Sequence, residues 1–290
     1  MSQPAKPVLQ YPGSKVRLAQ TIIDLLGPHG TYVEPYCGSA AVFLAKPRVG
    51  VELIGDMNDM LILFYETLRK KKTRDALIDA LTYTPYARRE LELCMEDDPA
   101  LGKVERSRRF MVRTNQTFLG SAGSSNWVST MAPSSNHSNA TKWMNYVTRL
   151  SVVSARLAGV QIECVDAVEI LQRAYLRHSD RIAIYLDPPY IRTDRSGARY
   201  TEDVDLLHHQ DMLETAVKLT GPMVISAYEN ALYDDALGKA GANWSKILVK
   251  VAASSSAGKG SVARRTEVLW ASPACPPLPK PVRAPRRARR

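Results

Sequence analysis

Long apolar runs are missing from this chain of 290 residues, and none is long enough to cross a bilayer. The opening stretch, MSQPAKPVLQYPGSK, lacks the apolar core of a secretory signal. No membrane partner and a cytoplasmic location are therefore expected. Cysteine is scarce. Cys37, Cys94, Cys164 and Cys275 are scattered, and no two share the spacing of a CxxC pair. Neither a disulfide, nor structural zinc, nor any other metal site is expected. No internal repeat is visible. Acidic residues are absent from 273–290, which carries Lys280, Arg283, Arg286, Arg287, Arg289 and Arg290. Those six charges belong to a formal net charge of +10, so the rest of the chain carries only +4. A basic tail fits either a solvated, disordered end or attraction to a polyanion.

What remains looks like an ordinary soluble protein, with 45% hydrophobic and 23% charged residues. Its length suits one sizeable core, or a core with a smaller second lobe. Apolar positions at helical spacing over 16–26 are stopped by Gly27-Pro28. Short strands are expected at 31–33, 51–55, 160–165, 181–186 and 223–226. Helices are expected from about Ala40, over 59–69 and around 206–219, and a closing antiparallel pair over 246–252 and 265–270. Apolar strands alternating with helices indicate an α/β sheet covered on both faces. Between 69 and 150 the chain becomes charged and helical, with a polar Ser/Asn/Gly loop over 120–141, as in an inserted lobe. The expected division is therefore 1–68 with 151–272, an insertion over 69–150, and the tail over 273–290.

Three constellations carry chemistry. Tyr32–Phe43 (YVEPYCGSAAVF) reads as strand, small-residue turn and helix, a shape that lets a ligand approach the backbone closely. Asp56 ends the next strand. It suits hydrogen bonding to ribose hydroxyls, but Asp56, Asn58 and Asp59 also suit a helix cap. The most specific signal is Asp187-Pro188-Pro189-Tyr190 after an apolar strand. Two prolines in a row cannot sit inside a sheet ladder or a helix, so they make a rigid turn where open α/β sheets place ligands. A carboxylate starts that turn and an aromatic ring ends it. Together they can hold an amino group and stack a planar base. His208 and His209, at a helix start, read as surface residues.

A series of motifs in one order resembles the Dam-type family of DNA adenine methyltransferases, over most of 9–271. They are Tyr11-Pro12-Gly13-Ser14-Lys15, Glu34-Pro35-Tyr36-Cys37-Gly38, Asp56 with Asn58, Asp187–Tyr190, and the later segments VISAYENALYDD and RTEVLW. One departure is visible: the family usually has Gly-x-Gly where this chain has Gly38-Ser39-Ala40. Alanine adds one methyl group, so a slightly different helix approach is expected.

The resemblance implies a Rossmann-like sheet dependent on S-adenosylmethionine, with the insertion as a mainly helical target-recognition lobe. It implies transfer of a methyl group to the N6 amine of adenine flipped out of duplex DNA. Tyr11, Lys15, Glu34, Pro35, Tyr36, Gly38, Asp56, Asp166 and Asp187 are the implied cofactor residues, although Asp166 equally suits a helix cap. Asp187, Pro188, Pro189 and Tyr190 are the implied catalytic set. Arg113, Asn115, Trp127, Arg192, Arg195, Arg199 and Lys259 are candidate DNA contacts, arginine being suited to phosphate and guanine. A cognate restriction endonuclease is a candidate partner. Transfer to the N4 amine of cytosine, an RNA adenine substrate, and an inactive DNA-binding relative stay open as alternatives.

Overall fold

The computed structural model describes residues 4–96, 98–117, 127, 138–177, 179–191, 203–238, 244–252 and 264–278. Seven strands form one sheet: β1 (Thr31–Glu34), β2 (Val51–Gly55), β3 (Gln161–Glu163), β4 (Ile182–Leu186), β5 (Met223–Ala227), β6 (Ser245–Ala252) and β7 (Arg264–Ala271), in the order β3-β2-β1-β4-β5-β7-β6. The first five run parallel, while β7 lies antiparallel to both β5 and β6. The chain enters at β1, moves outward through β2 and β3, then crosses back to β4 on the other side of β1. That reversal makes a crevice at the carboxyl ends of β1 and β4, where open α/β sheets bind ligands.

The expected strands and helices are present at close to their expected bounds. β4 and β5 are buried at every residue, as the apolar runs required. The pleat sends Tyr32, Ile54, Tyr185, Val224 and Leu269 to one face and Val33, Leu53, Ile184, Ile225 and Val268 to the other. α1 (Ala19–Leu26) and α3 (Asp59–Arg69) cover the first face, with α2 (Ala41–Ala45) between β1 and β2. α8 (Ala167–Leu171) and α9 (Asp203–Ala216) cover the second. Gly27 ends α1 with φ of 61°, a left-handed turn that glycine reaches without steric cost.

The insertion is helical: α4 (Lys71–Thr82), α5 (Arg88–Cys94), α6 (Lys103–Gln116) and α7 (Asn139–Leu157). Its apolar side chains join the core of the first sheet face. Phe64 of α3 meets Phe110 of α6 at 6.1 Å, and Ser107 donates to Thr67 at 2.9 Å. Both boundaries read from the sequence fall inside helices, 68/69 in α3 and 150/151 in α7, so no linker sets the lobe apart.

A buried ionic cluster fastens α7 to the sheet. Glu52 of β2 accepts from Lys46 at 2.7 Å and from two nitrogens of Arg156, which also donates to the Phe43 carbonyl. Burial pushes the Glu52 carboxyl up, and Arg156 and Lys46 overcome this to hold it below its usual range. Arg48 donates to the carbonyls of Ala155, Arg156 and Ala158 at the end of α7, groups a helix cannot satisfy itself. No helix among the described residues is long and apolar enough to cross a membrane.

Candidate active site

β1 delivers Glu34 into the crevice at only 2% exposure. Its Oε2 accepts from the Tyr32 hydroxyl at 2.7 Å and from the Phe43 amide at 3.0 Å. Burial pushes this carboxyl up to about 8, despite those donors. The chain then turns through Gly38 (φ 45°) and Ala40 (φ 54°) into α2. A Cβ on Gly38 would sit 3.1 Å from the ring of Tyr11, so the close approach of that ring needs glycine here. Ala40 takes the second glycine's place in the left-handed region, a strained position for a side chain. The turn is kept, as expected, with strain in a single alanine.

Asp56 follows β2. Its Oδ2 accepts from the Gly38 amide at 3.0 Å and its Oδ1 from the Asn58 amide at 3.0 Å. The cap of α3 is Asn58, whose side chain accepts from Leu61 at 3.2 Å. That settles which residue caps the helix and leaves Asp56, among the described residues, with unused lone pairs beside the glycine turn. Asn58 also donates to the Tyr11 hydroxyl at 3.3 Å. Ser14 and Ser39 pair at 2.7 Å, which holds the segment before α1 against the turn.

β4 ends at Asp187. Lys15, 5% exposed, reaches both of its carboxylate oxygens at 2.8 and 2.9 Å and donates to the Gly13 carbonyl at 2.7 Å. Burial raises the Asp187 pKa, while the Lys15 charge and hydrogen bond pull it down. The same ammonium stands 4.8 Å above the Tyr190 ring. Tyr190 donates to Glu267 of β7 at 2.6 Å and meets Tyr228 edge-on at 4.4 Å. A small cleft between the 12–15 segment and the Gly38 turn is lined by Lys15, Glu34, Ser39 and Asp187, among others.

On the second sheet face, Asp166 caps α8 by accepting from Val168 at 2.7 Å, and its other oxygen faces His208 Nδ1 at 3.4 Å. His208 Nε2 meets the Tyr36 hydroxyl at 2.6 Å. The reading of His208 and His209 as surface residues is corrected. His208 is half-buried and His209 only 3% exposed, because α9 packs its second turn onto the crevice. Local spacing did not reveal this, since a histidine pair at a helix start is usually solvated.

The candidate DNA contacts divide. Arg113 is buried on α6. Asn115 uses its amide internally, accepting from the Gln10 amide at 2.8 Å and donating to the Val8 carbonyl at 3.0 Å. These bonds hold the N-terminal segment to the lobe, with Asn115 only 5% exposed. Trp127 is half-buried, packed against Tyr86 at 5.7 Å with Arg88 over its ring at 5.4 Å. Arg192, Arg195, Arg199 and Lys259 lie outside the described residues. Glu267 was missed as a site residue. Its signal was a lone carboxylate just before the apolar Val268-Leu269-Trp270 of a strand.

Compared with known proteins, residues 11–251 match the profile of D12 class N6 adenine-specific DNA methyltransferases. Similar solved structures include the rRNA methyltransferase aviRa from Streptomyces viridochromogenes, 14% identical, with 91% of this chain and 89% of that chain covered at a TM-score of 0.41. No curated protein matches the chain significantly.

Proposed function

The chain belongs to the D12 class N6 adenine-specific DNA methyltransferases, and from that premise we propose how its residues divide the work. The enzyme methylates adenine in DNA, and S-adenosylmethionine supplies the methyl group on a positively charged sulfur. The residues present fit that donor. Lys15, Glu34 and Asp187 line one cleft and suit a charged amino-acid end beside a cation. Asp56 keeps free acceptor positions for ribose hydroxyls. Tyr11, lying against Gly38, together with Pro35, Tyr36 and Asp166, completes the proposed cofactor set.

The observation that carries the reading is the Lys15–Asp187 pair beside Tyr190 at the crevice. Lys15 favours the ionised, acceptor-only form of Asp187. In the proposed arrangement Asp187 and the Pro188 carbonyl accept hydrogen bonds from the adenine amine, which aims the nitrogen lone pair away from them. Pro189 stiffens the turn and Tyr190 stacks on the base. Positioning of this kind supplies much of a group-transfer rate without metal or covalent intermediate. The insertion over 69–150 is the proposed target-recognition lobe, acting on duplex DNA with the flipped-out base. Trp127, Arg192, Arg195, Arg199 and Lys259 are proposed DNA contacts. A restriction endonuclease that cuts the same unmethylated sequence is the proposed protein partner, and the cytoplasm the proposed location.

The test is incubation with S-adenosylmethionine and mixed-sequence duplex DNA, then nucleoside digestion and mass spectrometry. N6-methyladenine is the expected product. Methylated cytosine, or no methylated base from a protein shown to bind the cofactor, would overturn the assignment.

A further inference from the structure

The turn Asp187–Tyr190 has an unusual problem. Pro188 and Pro189 have no N–H, so the turn has few donors with which to hold itself. Its carbonyls must be gripped from outside. The Pro189 carbonyl is met at 2.9 Å by Nε2 of His209, which reaches in from α9. A carbonyl only accepts, so Nε2 carries a proton. At the other side of the ring, Nδ1 pairs with the Tyr233 hydroxyl at 2.7 Å. His209 is 3% exposed and Tyr233 2% exposed, so both bonds are sheltered from water. If the imidazole gains a second proton, the Tyr233 hydroxyl can turn from donor to acceptor, and the bond to Pro189 survives. The ring is therefore held at both nitrogens, by Tyr233 on one side and by the backbone of the turn on the other.

We propose that His209 is a positioning residue for methyl transfer. Its Nε2–H fixes the Pro189 carbonyl, and so the placement of Asp187 and of the Pro188 carbonyl against the target amine. This rests on the function proposed above. His209 acts on the reacting groups through the backbone of the turn, so its loss should slow transfer without weakening cofactor binding. A misplacement of about 1 Å at the reacting atoms costs on the order of 100-fold in rate. His208, the preceding residue, reaches Tyr36 and Asp166, so the second turn of α9 braces both halves of the crevice.

The test compares His209→Leu, which fills the space without a donor, with His209→Gln, whose side-chain amide can donate to Pro189. Wild-type formation of N6-methyladenine is measured first, and its absence would overturn both the function and this inference. With wild-type turnover in hand, His209→Leu is expected to lower kcat about 100-fold. KM for DNA and the calorimetric Kd for S-adenosylmethionine should stay within about 3-fold of wild type, because uniform binding is unaffected. His209→Gln should recover about 10-fold or more of that loss, as expected when the donor itself matters. Unchanged kcat in the leucine variant would overturn the proposal alone. So would a parallel loss of cofactor binding with no recovery by glutamine, which is the behaviour of a merely structural residue. Should the leucine variant fail to fold, Tyr233→Phe decides. Removing that hydroxyl loosens the ring and is expected to lower kcat about 3-fold at constant KM, whereas unchanged kcat overturns the proposal.

Discussion

Replacing Glu34 by glutamine should abolish the pH dependence of stability that this one carboxyl imposes. Glu34 is enclosed between β1 and α2, and burial moves its pKa from 4.5 to about 8. Between those values the folded protein holds a proton that the unfolded chain has released. Stability contributed by this group is thus complete below the unfolded pKa and is lost as pH rises through the folded one. The slope is about 1.4 kcal/mol per pH unit. Over the span from 4.5 to about 8 the loss reaches about 5 kcal/mol before levelling. Glutamine has the shape of the protonated acid and keeps an acceptor for the Phe43 amide and the Tyr32 hydroxyl. Urea unfolding at a series of pH values, wild type against Glu34→Gln, reads the effect directly. The two should be similar near pH 5, by about 1 kcal/mol, with glutamine pulling ahead steadily up to about pH 8. A pH-independent difference, or wild type gaining on the variant as pH rises, would refute the reasoning.

Asp187→Ala should leave a folded protein with methyl transfer lost by roughly 1000-fold or more in a tritium-transfer assay; retained turnover would remove Asp187 from the mechanism. Gly38→Ala forces a side chain into the left-handed region beside the Tyr11 ring, and thermal unfolding should show a loss of about 1–2 kcal/mol. Ala40→Gly relieves similar strain but gives up a buried methyl group and gains chain entropy, so it should stay within about 1 kcal/mol of wild type. Glu52→Gln leaves Lys46 and Arg156 buried without their counter-charge, and should cost about 3–5 kcal/mol in urea unfolding. A cost under about 1 kcal/mol would show that the cluster does not fasten α7 to the sheet.

Much of the frame was legible because it depends on local pattern. Apolar runs of strand length made β4 and β5 recognisable, and Gly27-Pro28 marked the end of α1, since backbone preference acts within a few residues. The Asp187–Tyr190 turn was visible for the same reason: two prolines dictate their own geometry. Asp56 and Asn58 were left undivided, because either side chain can cap a helix and only the bond to Leu61 chose between them.

Sequence alone therefore determined the α/β alternation, the strand-end motifs and the family, all properties of short stretches read in order. The tertiary structure alone decided which distant groups meet. Lys15 lies on Asp187 across 172 positions, Tyr190 on Glu267 across 77, and Asn115 on the backbone of Val8 across 107. It also turned His209 from an apparent surface residue into the buried support of Pro189. The physical reason is that spacing along the chain encodes local periodicity. A side chain's partners and burial arise only when the crossover from β3 back to β4 brings separate segments to one crevice.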